Sequence, residues 1–598
     1  MAIRPYKVEG PFLSPCLLVP LSPGLLVLLP PNGGFLFFWI GCIDNPRPKQ
    51  QRNSMPEKKT SFSFLPLAAA AVVLTGAAAG AYLYFKGSFT KLGPLESAKV
   101  VPDEALVAAY IDTDPGAWSK LQEFGTSEAQ GAIAKGLEEF KTNLLDEENI
   151  DYEQDLKPWV DGVMFALLPA SPTPDLPEKE ANLLMVVGIK DKIAALNFAR
   201  KLESRDDVET EEISYKGVKI TKTDSKENDS TYIAVLDDYV AIAIDQGMLE
   251  NAIDTVKGEP SLANKLGSAK SISSSIDKVQ NPIARVYMPD YAGAMEKFIE
   301  LVPDAGELPE EIKYVKSGAI VVGLNDVGVR VKAFAEVDPA GFENPEQGKN
   351  KFTSRFPAET LALIGGRGLA WAWSGLVAGA ASQPEVQKFV DELRTSFKQE
   401  ADLDVDSEVF GWMDGEFAAG VFLPPQGIPA GAMIFETSDR GTAEVALQKL
   451  EAYVQKNLPI KLEVKQKDIQ GVEVIEWTIP IQNQPLGGYG WLDDNSVFLV
   501  VGGPFLDAIA IPAANPLDAT PNYQAIAGSL PQSNYSYFYL DMEKLMVLAG
   551  PLLLQSGGQL PPETQAILYS IQGIGIAATA ANSSTEMDML LALKKTGS

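Results

Sequence analysis

Apolar positions along this chain come in short runs broken by polar turns, with one long exception. Leu65–Phe85 reads LPLAAAAVVLTGAAAGAYLYF, 21 residues without a charge, and about 20 apolar residues span a bilayer core. Lys58 and Lys59 precede it, and Tyr82, Tyr84 and Phe85 stand at its far end like an interfacial belt. The pattern predicts a single-pass transmembrane anchor over residues 65–85, with 55–64 as a basic lead-in and the N-terminus inside. Everything beyond a linker at 86–99 is then extracytoplasmic, on the periplasmic or lumenal side. A cleaved signal peptide ending at Ala77-Ala78-Ala79 is the rival, but the apolar run continues past that site to Phe85. Upstream, Phe12–Cys42 is apolar yet interrupted by Pro15, Pro20, Pro23, Pro30 and Pro31, and proline breaks helices. Met55 opens a conventional lead-in, so residues 1–54 read as a mis-called, disordered upstream extension.

Beyond the anchor the pattern repeats itself, which is the signature of tandem units. Pro102-Asp-Glu-Ala-Leu106 recurs 255 positions on as Pro357-Ala-Glu-Thr-Leu361, and Trp159-Val-Asp-Gly162 recurs 253 on as Trp412-Met-Asp-Gly415. Lys216-Gly217-Val-Lys returns as Gln470-Gly471-Val-Glu at 254, and Leu236-Asp237-Asp238 as Leu492-Asp493-Asp494 at 256. Four anchors in one order at nearly one offset predict a duplication, with copies at 100–340 and 355–598 joined by a linker at 341–354.

Each copy opens with an apolar strand (Ala105–Ile111; Leu361–Gly365) and runs through helical sequence into an acidic loop. The Trp-x-Asp-Gly turn follows, then strands Val163–Leu168 and Leu183–Ile189, or Phe417–Leu423 and Ala432–Glu436. Amphipathic helices come next, Ile193–Leu202 and Ala443–Val454, and then hairpins at Tyr232–Ile244 and Tyr489–Val501. A strand, a helix and a terminal hairpin (Ala319–Val337; Ile574–Leu593) close each copy. The fold class expected is α+β: a tandem duplication of a mainly antiparallel sheet-plus-helices unit.

Charge and composition narrow the chemistry. The formal net charge of −29 disfavours nucleic acid and anionic headgroups, so no nucleic-acid partner is expected. The chain has no histidine, and both cysteines, Cys16 and Cys42, lie upstream of the anchor. That removes Ser-His-Asp triads, Cys-His nucleophiles, His-ligated metals, zinc ribbons and disulfides from the folded region. Carboxylates, Tyr, Lys and Ser remain. No cofactor is expected.

Few motifs carry chemistry. Trp159 with Asp161, and Trp412 with Asp414, would serve as stacking platforms for a sugar; the alternative is turn chemistry beside a core tryptophan. Asp402, Asp404 and Asp406 alternate like the start of a calcium loop, but Ser407 and Met413 stand where that loop needs Gly and Glu. Ser88-Phe-Thr-Lys91 and Lys595-Thr596-Gly597 mimic elements of penicillin-recognising enzymes by coincidence. Gly365-Gly-Arg-Gly368 and Gly487-Gly-Tyr-Gly490 lack phosphate-loop spacing. Tyr535, Tyr537 and Tyr539 share one strand face, read as a covered one.

The order of elements, the single anchor and the PW-x-DG-type turn, Asp155-Leu-Lys-Pro-Trp159 above all, resemble a bacterial family known chiefly from cyanobacteria and other photosynthetic bacteria. Its members are membrane-anchored and catalogued only as a domain of unknown function. The resemblance covers nearly all of residues 55–598, implies the anchored architecture, and supplies no catalytic residues. The function expected is non-enzymatic: a membrane-tethered binding, scaffold or envelope-maintenance protein with a protein or glycan partner. Its cleft is expected between the copies. The alternatives are a carboxylate-dependent glycan hydrolase using Asp161 or Asp414, and a carrier of an apolar ligand.

Overall fold

A computed structural model describes residues 93–596 apart from short stretches at 133, 136–150, 170–181, 204–208, 225–229, 269–278, 302–309, 342–343, 381–383, 424–428, 458–461, 481–483, 503–504 and 556–560. The extension 1–54, the lead-in 55–64, the anchor 65–85 and Ser88 lie outside the described residues. Among the described residues, no helix is long and apolar enough to cross a membrane.

Among the described residues the chain is mixed α/β around one 20-stranded sheet. Its first ten strands are β1 (Val107–Asp112), β2 (Val160–Leu168), β3 (Asn182–Ile189), β4 (Glu209–Tyr215), β5 (Val218–Asp224), β6 (Ser230–Leu236), β7 (Tyr239–Ala243), β8 (Pro282–Met288), β9 (Val315–Leu324) and β10 (Gly328–Val337). A two-residue strand β11 (Gly348–Lys349) opens the second half. It continues with β12 (Thr360–Arg367), β13 (Glu416–Phe422), β14 (Ala430–Glu436), β15 (Glu463–Ile469), β16 (Val472–Ile479), β17 (Gln484–Trp491) and β18 (Ser496–Val501). The last strands are β19 (Ser533–Asn534), β20 (Ser536–Asp541), β21 (Ile571–Ala581) and β22 (Ser584–Leu593).

Followed from one edge, the pairings run β4-β5-β6-β7-β3-β2-β1-β8-β9-β10. They cross from β10 to β22 and go on β22-β21-β20-β12-β13-β14-β18-β17-β16-β15. Every one is antiparallel. β11 pairs separately with β19.

Local chemistry explains the tight corners. Lys216 and Gly217 both take positive φ (47° and 80°), as do Gln470 and Gly471 (53° and 90°). Two central residues with φ > 0 make the hairpin turn whose twist matches its strands. One expectation needs correction. Asp161-Gly162 is no turn: both residues lie inside β2, at a register shift beside Val160. Gly162 is needed there because the Tyr110 phenol crosses it, and a Cβ would stand 2.2 Å from the hydroxyl. Asp414-Gly415 does precede its strand.

One sheet face carries two fully buried cores. In the first half Tyr110, Met164, Leu184 and Val186 pack with Met248, Leu249 and Ile253 of the helix Gln246–Val256. In the second half Phe356, Phe422, Phe498 and Tyr539 pack with Ile509 and Ile526. At the outer strands the other face is covered by the helices Lys192–Glu203 and Arg440–Asn457.

The halves meet along β10 and β22, where Lys332 faces Asp588 in register. Arg330 donates to both Asp588 oxygens, Nε at 2.8 Å and Nη2 at 2.6 Å, and Lys332 reaches the same carboxylate at 3.1 Å. A second seam lies at the C-terminus. Gly125 N–H donates to the Lys594 carbonyl (2.8 Å), Thr596 N–H to the Glu123 carbonyl (2.9 Å), and Phe124 is buried between them.

Candidate functional site

The two Trp-x-Asp-Gly tryptophans sit in matching niches. A π-helical turn precedes each, Tyr152–Leu156 and Val405–Phe410. Trp159 Nε1–H donates to the Asp155 carbonyl at 2.7 Å, and Trp412 Nε1–H to the Glu408 carbonyl at 2.9 Å. Each donor reaches back one helical turn, so the indole is held by the segment that introduces it. Trp159 stacks on Phe198 (5.7 Å, 30°), and Trp412 meets Phe435 edge-on (5.7 Å, 79°). A lysine from the following helix then locks the turn. Lys201 pairs with Asp155 and Lys449 with Glu408, both at 2.5 Å. The Lys449 ammonium holds the Glu408 carboxyl below the usual glutamate range. At 3% and 5% exposure, neither indole face is open to a ligand.

The neighbouring aspartates go separate ways. Asp161 is half-buried in β2, and Asp414 is exposed and accepts from the Ser438 N–H at 2.9 Å and from its hydroxyl. Asp402, Asp404 and Asp406 do not converge either. Asp402 pairs with Lys398 at 2.7 Å, which lowers its carboxyl. Asp404 caps the π turn, accepting from Ser407 N–H and Oγ–H at 2.8 Å each, and the backbone donor lowers it too. Asp406 accepts from Trp373 Nε1–H (2.8 Å) and from Arg394 (3.0 Å). Among the described residues no three His, Cys, Asp or Glu side chains are grouped to hold a metal ion.

A buried carboxylate ties the inter-half segment down. Glu416 is almost fully buried and accepts from Lys351 N–H (2.7 Å) and Phe352 N–H (3.3 Å), while pairing with Arg367 Nη2 at 2.9 Å. Glu436 accepts the Glu416 N–H (3.2 Å) and pairs with Lys351 Nζ (2.5 Å). Burial pushes the Glu416 carboxyl above the usual range, against the pull of Arg367 and the two backbone donors. A raised folded-state pKa gives stability that is complete below the unfolded value, about 4.3, and is lost as pH rises through the folded one. The stability margin of the wild type over Glu416→Gln should therefore shrink from pH 4 upward, as read from thermal melts of both proteins. A margin that widens with pH would reverse this assignment.

What sequence reasoning missed is the second face of the central sheet. In register across thirteen strands run Val187, Val163, Ile111, Ala284, Val322 and Val331, then Met589, Ile576, Phe538 and Ile364, and finally Ala419, Met433 and Leu499. The row holds no polar side chain. Val331 at its centre is buried, at 6% exposure, as is Val187 in the core around Trp159 and Phe198, against which Val163 also packs; Ile111 and Met433 are 39% and 45% exposed. The helix Tyr291–Leu301 covers part of this face, with Tyr291 packed against the buried pair Val315 and Val337. Nearby, the helix Met542–Gln555 packs on β20, β21 and β12, and its Val547 is 75% exposed. The sequence signal was present, since β1, β2 and β8 read as nearly continuous apolar runs. Such runs mark strands apolar on both faces.

Comparisons with known proteins match this architecture only at family level. Solved structures of TP0453 show partial likeness. Crystal form III has 9% identity and a TM-score of 0.24, covering 40% of this chain and 79% of that one. Form I has 11% identity and a TM-score of 0.23, with 42% and 81% covered. Form IV has 11% identity and a TM-score of 0.24, with 44% and 83% covered. Scores this low carry no argument. No curated protein matches. A family model described as a protein of unknown function, DUF3352, matches residues 67–593. With that span covered, the chain belongs to the DUF3352 family.

Proposed function

We propose that this chain is a membrane-tethered, extracytoplasmic binding protein made of two tandem copies of one α+β unit. The duplication is supported by strand order. β4-β5-β6-β7-β3-β2-β1-β8-β9-β10 corresponds step for step to β15-β16-β17-β18-β14-β13-β12-β20-β21-β22. Lys332 and Asp588, paired at the junction, stand 256 positions apart, the offset that relates Asp237 to Asp493. Equivalent positions thus meet on a pseudo-twofold axis, and they carry opposite charges.

The tether is supported by the uncharged run at 65–85. Protease added to intact spheroplasts should digest residues 93–596, and complete protection until lysis would reverse the topology. The binding role rests on one observation: an apolar row across thirteen strands in which Ile111 and Met433 are left exposed. The glycan-hydrolase alternative has less support, because Asp414 is bound by Ser438 and the tryptophans beside both aspartates are buried. The test is dye uptake. The full chain in lipid nanodiscs should bind 1-anilinonaphthalene-8-sulfonate saturably, above the signal of empty discs. No excess signal would remove the binding role.

A further inference from the structure

The core face of the first half holds a cation that the chain leaves without a partner. Arg285 of β8 stands opposite Tyr110 of β1 on one side and Val321 of β9 on the other. The residue is half-buried, and its Nε is shut away from solvent without an acceptor. Among the described residues no carboxylate pairs with its guanidinium. A donor in that state has lost its hydrogen bonds to water without replacement. The planar guanidinium fork matches a carboxylate. We infer that Arg285 and Asp112 form a binding site, separate from the apolar row, for a small zwitterion of the amino-acid class. The ligand carboxylate meets Arg285, and its ammonium meets Asp112.

The place of the aspartate follows from the strand register. Asp112 lies two residues beyond Tyr110 on the same face of β1, which makes it the diagonal neighbour of Arg285. Such neighbours are about 7–8 Å apart, within reach of long side chains. The two do not pair, because the Asp112 carboxylate accepts from the Asp114 N–H at 2.8 Å instead. Asp161 stands beside Gly162, the register partner of Asp112. Burial raises the Tyr110 phenol above its usual range, Asp112 and Asp161 add to that rise, and Arg285 opposes it. One positive and two negative groups thus act on a single hydroxyl with no ion pair closed among them. The excess of negative charge disfavours a phosphate dianion and complements an ammonium. In the corresponding strands of the second half the same places are closed. Tyr537 stands opposite Gly365 as Arg285 stands opposite Tyr110, and its buried hydroxyl meets Thr353 at 3.3 Å. Arg367, in the place of Asp112, pairs with Glu416. The charge left over at this position therefore belongs to the first half.

The test is saturation-transfer NMR on the full chain in lipid nanodiscs, with the signal of empty discs subtracted. Glycine carries both charged groups, acetate only the carboxylate and ethylamine only the ammonium, while inorganic phosphate competes as a different oxyanion. Glycine should bind about tenfold more tightly than acetate or ethylamine, and phosphate should not displace it. Arg285→Gln should weaken glycine binding by about tenfold or more. Its melting temperature should stay at or above the wild-type value, because the change removes an unsatisfied buried donor. An arginine with a purely structural role would lower it, which would count against the site. Asp112→Asn keeps an acceptor for the Asp114 N–H. It should bring glycine down to the affinity of acetate and leave acetate unchanged. Equal binding of glycine and acetate by the wild type, or tightest binding of phosphate, would overturn the zwitterion assignment. No binding of glycine would remove the site. The naphthalene dye reads the apolar row separately, so failure here and failure of the row are told apart.

Discussion

Trp159→Ala and Trp412→Ala each lower stability by about 3–5 kcal/mol, the usual cost of truncating a buried aromatic side chain. Each change removes the ring contact with Phe198 or Phe435 and leaves the carbonyl of Asp155 or Glu408 without its indole donor. The π-helical turn then keeps its lysine partner and its own caps but loses its tie to the ring. Phe at either position keeps most of the apolar contact and loses the hydrogen bond, so it should cost clearly less than Ala. Urea titrations of the four variants give these differences directly. A stacking platform for a ligand would behave in the opposite way, losing binding at an unchanged midpoint. Unchanged midpoints in both Ala variants would restore the sugar-platform role to these residues.

Asp588→Ala is the second large effect, again about 3–5 kcal/mol, the range for removing one partner from a buried ion pair. Asp588 is 1% exposed and answers both Arg330 and Lys332. Without it two cations face each other at the junction of the halves with little access to water; Glu586 remains for Lys332 at 2.5 Å. The double change Arg330→Met with Asp588→Leu removes the charge problem and should recover most of the loss, because a well-packed apolar pair often equals or exceeds a buried ion pair. A single melting transition should also become two in Asp588→Ala, since β10–β22 is the main seam between the halves. Equal stability of Asp588→Ala and wild type would show that this carboxylate adds nothing to the junction.

Much of this architecture was legible because short-range patterns decide it. Period-two alternation marked the strands, as at Ser536–Asp541, where Tyr537 and Tyr539 are buried as their spacing requires. The hairpins at β6–β7, β17–β18, β9–β10 and β21–β22 announce themselves through apolar runs around short polar turns. The β4–β5 and β15–β16 hairpins were missed for a physical reason. Glu209–Tyr215 (ETEEISY) and Glu463–Ile469 (EVKQKDI) are edge strands with charge on both faces, so alternation is weak there, and only the turns Lys216-Gly217 and Gln470-Gly471 betrayed them.

The sequence by itself narrowed the tryptophans to two roles, stacking platform or core residue, and their burial at 3% and 5% exposure decided for the core. It also determined the chemistry that is absent, since a folded region without His or Cys excludes whole reaction classes. Only the tertiary structure decided that Asp161-Gly162 belongs inside a strand, because Tyr110, distant in the chain, needs the space above Gly162. Only it decided that Asp402, Asp404 and Asp406 diverge, drawn to Lys398, Ser407 and Arg394 respectively. The apolar row was beyond sequence reasoning for the same cause. A strand apolar on both faces reads identically whether its second face is covered or open, and that depends on which strands and helices meet there, through contacts hundreds of residues apart.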